Sequence, residues 1–179
     1  NWWDRVWEED GLEGLTILRL AAQWLRANAP PIEKATVIHH DYRAGNFLFD
    51  PETARITAIL DWELSHIGDY HEDLAWTMQE GYGYYDDSRR FHVCGLIEKT
   101  EFLARYEALT GFPIDHRKLD YYSIMNAWKS TIIVVATAIR CMIGAKSLED
   151  VLLSWIAGFG NITMNTLETL LRREIAHGA

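Results

Sequence analysis

Between residues 37 and 50 the chain reads VIHHDYRAGNFLFD, with two histidines, an aspartate, an arginine and an asparagine directly behind a short apolar run. Three chemistries compete for such a stretch. It could be a His/Asp metal cluster, a loop that handles phosphoryl groups, or an ordinary polar turn. The choice depends on which elements hold His39, Asp41, Arg43 and Asn46, and on what else those elements bring alongside.

Thr36 to Ile38 reads as a strand that delivers the polar loop. Phe47 to Phe49 reads as a second strand, DPETAR as a turn, and Ile56 to Leu60 as a third strand. Upstream, residues 13 to 28 carry Leu15, Leu18, Ala22 and Leu25 at helical spacing, and Pro30 and Pro31 stop that helix. From Asp69 onward the pattern predicts helices only, over about 70–79, 88–109, 115–143 and 148–176, with a Tyr- and Gly-rich loop at 81–85. TIIVVATAI, residues 131–139, has the β-branched content of a buried strand. Its place inside a long unbroken segment favours a helix.

The hairpin narrows the chemistry. Its turn centres near Thr53, so Asn46 and Asp61 fall nearly opposite each other at the open end, where opposed residues of an antiparallel pair stand roughly 5 Å apart. A carboxylate and an amide oxygen are hard ligands of the kind Mg²⁺ requires. Asp41 leads into the same end. Asn or Asp at one strand end is commonplace, but the convergence of three such side chains is less so.

His39-x-Asp41-x-x-x-x-Asn46 fits H-x-D-x-x-x-x-N, the catalytic-loop pattern of protein kinases and their small-molecule relatives. ILDWE places Asp61 where kinases carry their Asp-Phe-Gly aspartate. GDYHEDLAW, residues 68–76, is similar to the G-D-P-x-x-D-L-A element of the aminoglycoside phosphotransferase and choline kinase-like family. LDWELSHIGDYHEDLAW resembles in particular the branch related to the kinase domains found fused to acyl-CoA dehydrogenases. Three motifs in order within residues 39–76 make a specific signal where one would be weak.

The resemblance implies an α+β, mostly helical fold, the C-terminal lobe of a kinase-like enzyme, with the hairpin carrying the catalytic and metal residues. It implies that Asp41 orients an acceptor hydroxyl and takes its proton, while Asn46 and Asp61 hold Mg²⁺ on the phosphates of ATP, the co-substrate. Arg43 stands where many protein kinases carry a catalytic-loop lysine near the transferred phosphate. Neutralising that phosphate is one reading of it, and a local ion pair or a solvated loop arginine is the other. His39 and Asp73 fall to structural support of the loop. Asp69, with Glu72 three residues on, reads as a D-x-x-E capping box. His40 departs from the family, which usually has Gly or Asn there. Glu63 is a weaker candidate for a metal contact, and Tyr82, Tyr84, Tyr85, Asp86 and Asp87 read as a surface loop that could line an acceptor site.

Rival chemistries fit less well. An HD-type metal phosphohydrolase needs His-Asp on a helix and a further histidine upstream, yet no histidine precedes His39. The histidines at 66, 71, 92, 116 and 177 lack zinc-hydrolase spacing. A catalytically silent, kinase-like binding module is the serious alternative. In its favour, the 38 residues before His39 contain neither a glycine-rich loop nor a strand lysine to cradle ATP. The expectation is therefore that residues 1–179 are one lobe, cut at Asn1 from an N-terminal lobe and showing little activity alone. Trp2, Trp3 and Trp7 at the start would then want a partner surface.

Composition agrees with a packed domain, since 49% of the residues are hydrophobic and eight are tryptophans. A net charge of −9 argues against a nucleic-acid surface, leaving a small-molecule hydroxyl acceptor and the missing lobe as the expected partners. Two cysteines, Cys94 and Cys141, make no disulfide framework, which favours a reducing cytoplasm. No signal peptide opens the chain, and Thr131 to Ile139, bounded by Lys129 and Arg140, is too short to span a bilayer, so no membrane partner is expected.

Overall fold

In the computed structural model, which describes residues 5, 16–144, 148 and 158–178, helix α1 (Thr16–Ala27) turns Leu18, Ala21 and Leu25 inward. Ala21 rather than Ala22 completes that buried stripe, and Leu15 lies outside the described residues. Asn28 closes the helix by donating from Nδ2 to the Trp24 carbonyl at 2.8 Å, just ahead of the prolines.

Strand β1 (Ala35–Ile38) leads into the polar loop, and a single 3₁₀ turn at Ala44–Asn46 joins it to β2 (Phe47–Phe49). The chain then folds back through β3 (Ile56–Ile59) and β4 (His66–Asp69) into the short helix α2 (His71–Thr77). β2 and β3 form the expected hairpin, with Phe47 opposite Ile59. β4 was not anticipated: it pairs antiparallel with β1, Ala35 opposite Asp69 and Ile38 opposite His66. The hairpin is thus an insertion between two paired strands, and both of its open ends face the loop after Ile38.

A second departure lies at 84–98, where the expected helix over 88–109 begins only at residue 99. Three very short strands, β5 (Tyr84–Tyr85), β6 (Phe91–Val93) and β7 (Ile97–Glu98), form a meander there. Asp86 organises its first turn by accepting from the backbone N–H groups of Ser88 and Arg90, both at 2.9 Å. Cys94 and Gly95, at φ 52° and 74°, make the second turn. Helix α3 (Lys99–Thr110) follows, capped by the Glu98 carboxylate and ended by Gly111 at φ 68°, the left-handed conformation glycine adopts without strain.

Helix α4 (His116–Gly144) contains the whole of TIIVVATAI, so the long apolar-rich segment is helical as expected. Helix α5 (Gly160–Gly178) buries Leu167 and Leu171. The fold is α+β and mostly helical, with three small antiparallel sheets among the described residues. Residues 30–123 form one compact unit, and the segments before and after them form another. In the latter, α1 contacts α5, and the Trp128 indole donates to the Leu18 carbonyl at 3.1 Å. No described helix is long and apolar enough to cross a membrane.

Candidate active site

The loop after β1 opens on two buried histidines in unusual backbone. His40 has φ 65°, the left-handed region that costs an L-residue about 1–2 kcal/mol. The Gly or Asn that the resemblance leads one to expect at this position would adopt that conformation with less strain. What holds His40 there is Asp73 on α2, whose two carboxylate oxygens accept the backbone N–H groups of His39 and His40 at 2.8 and 2.7 Å. Hydrogen bonds to a charged acceptor contribute about 1.5–3 kcal/mol each, more than enough to offset the strain.

His39 ties the loop to the hairpin. Its Nε2 lies 2.8 Å from the Leu60 carbonyl and must donate to it, so Nδ1 is bare and accepts the Asp41 N–H at 3.1 Å. The neutral Nε2–H tautomer satisfies both contacts. The ring also packs against Trp62, with centroids 4.5 Å apart. One side chain therefore spans from Asp41 to the residue before Asp61.

Three side chains converge on the Asp41 carboxylate. The Trp76 indole donates to Oδ1 at 3.1 Å, Asn46 Nδ2 donates to Oδ2 at 2.6 Å, and Arg43 Nε reaches both oxygens at 3.2 Å. Asn46 Nδ2 also donates to the Asp41 carbonyl at 2.8 Å, so its amide group spans the loop and its own oxygen is the end left for a cation. Arg43 thus forms a local ion pair with Asp41, one of the two alternatives open for it. Its guanidinium also lies 6.0 Å from the Tyr82 ring centre.

Asp61 sits one residue beyond the backbone pairing of Leu60 N–H with the Asn46 carbonyl, at 2.8 Å. It too is left-handed, at φ 68°, and it is exposed. The hairpin brings Asp61 to the same end as Asn46 and Asp41, an oxygen-rich donor set of the sort a hard divalent cation takes. Glu63 lies exposed in the turn beyond.

Trp76 is an addition that sequence reasoning did not single out, and Tyr82, read there only as part of a surface loop, lies beside Arg43. Trp76 ends the GDYHEDLAW element, but its role requires α2 to fold against the loop 35 residues earlier. Tyr82 is half-buried. Burial first, and the Asp41 carboxylate second, push its phenol up to about 12, so it stays protonated as a neutral wall beside Arg43. The rest of the aromatic loop has local duties: Tyr84 stacks on His92, and Tyr85 donates to Glu80 at 2.7 Å. Hydrogen bonds from Arg90 and His92 hold Asp86 down at about 2, as a turn residue.

Asp69 stands apart from the loop and does more than cap a helix. It closes β4 and accepts the His71 N–H at the start of α2, behind the already helical Tyr70, so the expected capping bond is present, while Glu72 faces His40 and His66. Asp69, 1% exposed, accepts from the His71 N–H at 3.0 Å and from His71 Nδ1 at 2.6 Å. It also accepts from the Lys118 ammonium at 3.1 Å. His71 Nε2 in turn accepts the Asp115 N–H at 2.9 Å. Burial pushes the Asp69 carboxyl up, but these donors outweigh it and hold the group below the usual range.

A profile of the phosphotransferase enzyme family matches residues 2–122, which contain every residue of this site. The chain belongs to that family. Among its relatives, acyl-CoA dehydrogenase family member 11 of Gallus gallus is 28% identical over 157 residues, covering 83% of this chain and 20% of that protein. The Homo sapiens protein of the same name is 25% identical over 181 residues, covering 95% and 22% respectively. This family member thus spans about a fifth of those relatives' length. The fold matches a crystal structure from Ralstonia eutropha JMP134, provisionally described as an aminoglycoside phosphotransferase. The TM-score is 0.74 at 20% identity, over 96% of this chain and 53% of that one. The resemblance carried by residues 39–76, including its acyl-CoA dehydrogenase-associated branch, is thereby borne out.

Proposed function

We propose that this chain is the catalytic lobe of an ATP- and Mg²⁺-dependent phosphotransferase acting on a hydroxyl of a small molecule. The observation that carries the reading is the Asp41 carboxylate, fixed by Trp76, Asn46 and Arg43 at the open end of the hairpin that also presents Asp61. In this reading the acceptor oxygen forms a bond to the γ-phosphorus, the bond from that phosphorus to the β-phosphate oxygen breaks, and the hydroxyl proton passes to Asp41. Phosphoryl transfer asks the protein mainly for positioning and charge neutralisation, and a carboxylate fixed in this way meets the first need.

Asn46 and Asp61 would hold Mg²⁺, which supplies neutralisation of charge across the phosphates. Arg43 is positioned to trade its ion pair with Asp41 for the transferring phosphoryl group once substrates arrive. His39, Asp73 and Trp76 keep the carboxylate in place without touching substrate. Leu48, Phe49 and Ile56 on the hairpin are exposed, an apolar face suited to an ATP-cradling lobe.

The test is transfer of γ-labelled phosphate from ATP by the full-length protein to a panel of acceptors: aminoglycosides, choline-like alcohols, sugars and hydroxyacyl thioesters. Mg²⁺-dependent labelling that is lost in Asp61→Ala is the expected result. ATP binding with no transfer to any acceptor and no ATP hydrolysis would instead favour a silent binding module.

A further inference from the structure

Beside the catalytic loop lie three side chains that the phosphoryl chemistry does not use. Glu72 on α2 presents one carboxylate oxygen to His40 Nδ1 at 3.0 Å and the other to His66 Nε2 at 3.2 Å. All three donor atoms lie within 4.8 Å of one another. Glu72 and His40 are buried, whereas the His66 side chain is 40% exposed.

The His66 ring is oriented by its other nitrogen. Nδ1 lies 3.0 Å from the Leu64 carbonyl, an acceptor only, so Nδ1 carries the proton and donates. A neutral His66 then aims the bare lone pair of Nε2 at the Glu72 carboxylate. A lone pair against a carboxylate oxygen at 3.2 Å is repulsive unless positive charge stands between them. A ring nitrogen donating to a backbone carbonyl is the usual outer-shell arrangement of a metal-bound histidine. Gly68 floors the site. A Cβ there would come 3.3 Å from both Glu72 Oε2 and His66 Nε2, so the absence of a side chain keeps the space between the donors clear.

We infer that His40, His66 and Glu72 form a binding site for a divalent metal of the zinc class, separate from the oxygen-only set of Asn46 and Asp61. Two imidazoles and one carboxylate are a ligand set that zinc accepts, and nitrogen donors select it over Mg²⁺. The exposed flank of His66 gives the ion its way in and leaves a coordination position for solvent. Because His40 adjoins Asp41, the bound ion would staple the catalytic loop to β4 and α2. The inference does not depend on the phosphotransferase reading.

The test uses full-length protein stripped of metal with a chelator and titrated with Co²⁺, then with Zn²⁺ in competition. The expected result is one equivalent of cobalt with the visible bands of a four-coordinate site, displaced by Zn²⁺. His66→Ala, whose exposed side chain can be lost without unfolding the protein, should abolish those bands. It should weaken Zn²⁺ binding by more than about tenfold, a loss that even outer-shell substitutions produce. Gly68→Ala should weaken it in the same direction. Absence of cobalt bands in the folded wild-type protein would overturn the inference, as would equal Zn²⁺ affinity in wild type and His66→Ala. So would nitrogen NMR showing His66 still doubly protonated at pH 8 with Zn²⁺ present, because a proton would then occupy the place assigned to the metal.

Discussion

Trp76 donates one hydrogen bond to Asp41, and its chemistry suggests how that contact should register. An indole N–H on a carboxylate favours the charged form and fixes its direction. Trp76→Phe keeps a ring in the buried space and deletes only the donor. A hydrogen bond to a charged group contributes about 1.5–3 kcal/mol, so kcat should fall by roughly tenfold to a hundredfold while KM for ATP changes little. A fall in kcat with the fold and ATP affinity retained separates this positioning role from a purely structural one. Asp73→Ala acts differently. It removes both hydrogen bonds that hold His39 and His40, so unfolding by denaturant should show a loss of about 3 kcal/mol or more. Much of this scale was legible in the sequence, because H-x-D-x-x-x-x-N and the two later motifs are local patterns that name Asp41, Asn46 and Asp61 directly. Trp76 was not legible as a partner of Asp41, since nothing local to DLAW says which loop its indole will meet.

At the scale of elements, the pairing of β1 with β4 places Asp69 beside the sequence-distant Lys118 and makes a buried charged network. The Asp69 carboxyl is held below its ordinary value of 3.8, so its contribution to stability is complete above that pH and is lost as pH falls through the folded-state value. For Lys118, burial lowers the pKa but the Asp69 contact raises it further, leaving it above its ordinary 10.5. Its contribution is therefore complete below that pH and is lost as pH rises through the folded-state value. Asp69→Asn should cost about 1.5–3 kcal/mol at neutral pH by removing the buried charge that Lys118 and His71 donate to, leaving Lys118 with the Pro31 carbonyl and Glu33. Thermal unfolding from pH 6 down to pH 3 should show a smaller acid-induced loss in that variant than in the wild type. The hairpin and α4 were readable because turn residues and a long unbroken pattern signal them strongly. The β5–β7 meander was not, because strands of two or three residues are too short to show a period, and Asp86 with its turn decides the path instead. The D-x-x-E reading of Asp69 and Glu72 held only in part for a related reason: Asp69 does accept the His71 N–H, but the tertiary network also brings Lys118 to it and turns Glu72 to His40 and His66.

At the scale of the whole molecule, the family match covers residues 2–122 and the fold likeness covers 96% of the chain. The class α+β and the helical flanks were legible from pattern; the acceptor was not, because family members share the phosphate-handling residues and differ elsewhere. The most direct measurement is single-turnover phosphoryl transfer in the full-length protein, wild type against Asp41→Asn, with ATP binding measured in parallel. Asn keeps the size and much of the hydrogen bonding of Asp41 but cannot take a proton as a carboxylate does. The proposed mechanism predicts ATP affinity within a few-fold of wild type and transfer slower by about 10²–10⁴-fold. Transfer at an unchanged rate in a folded, ATP-binding Asp41→Asn protein would contradict it.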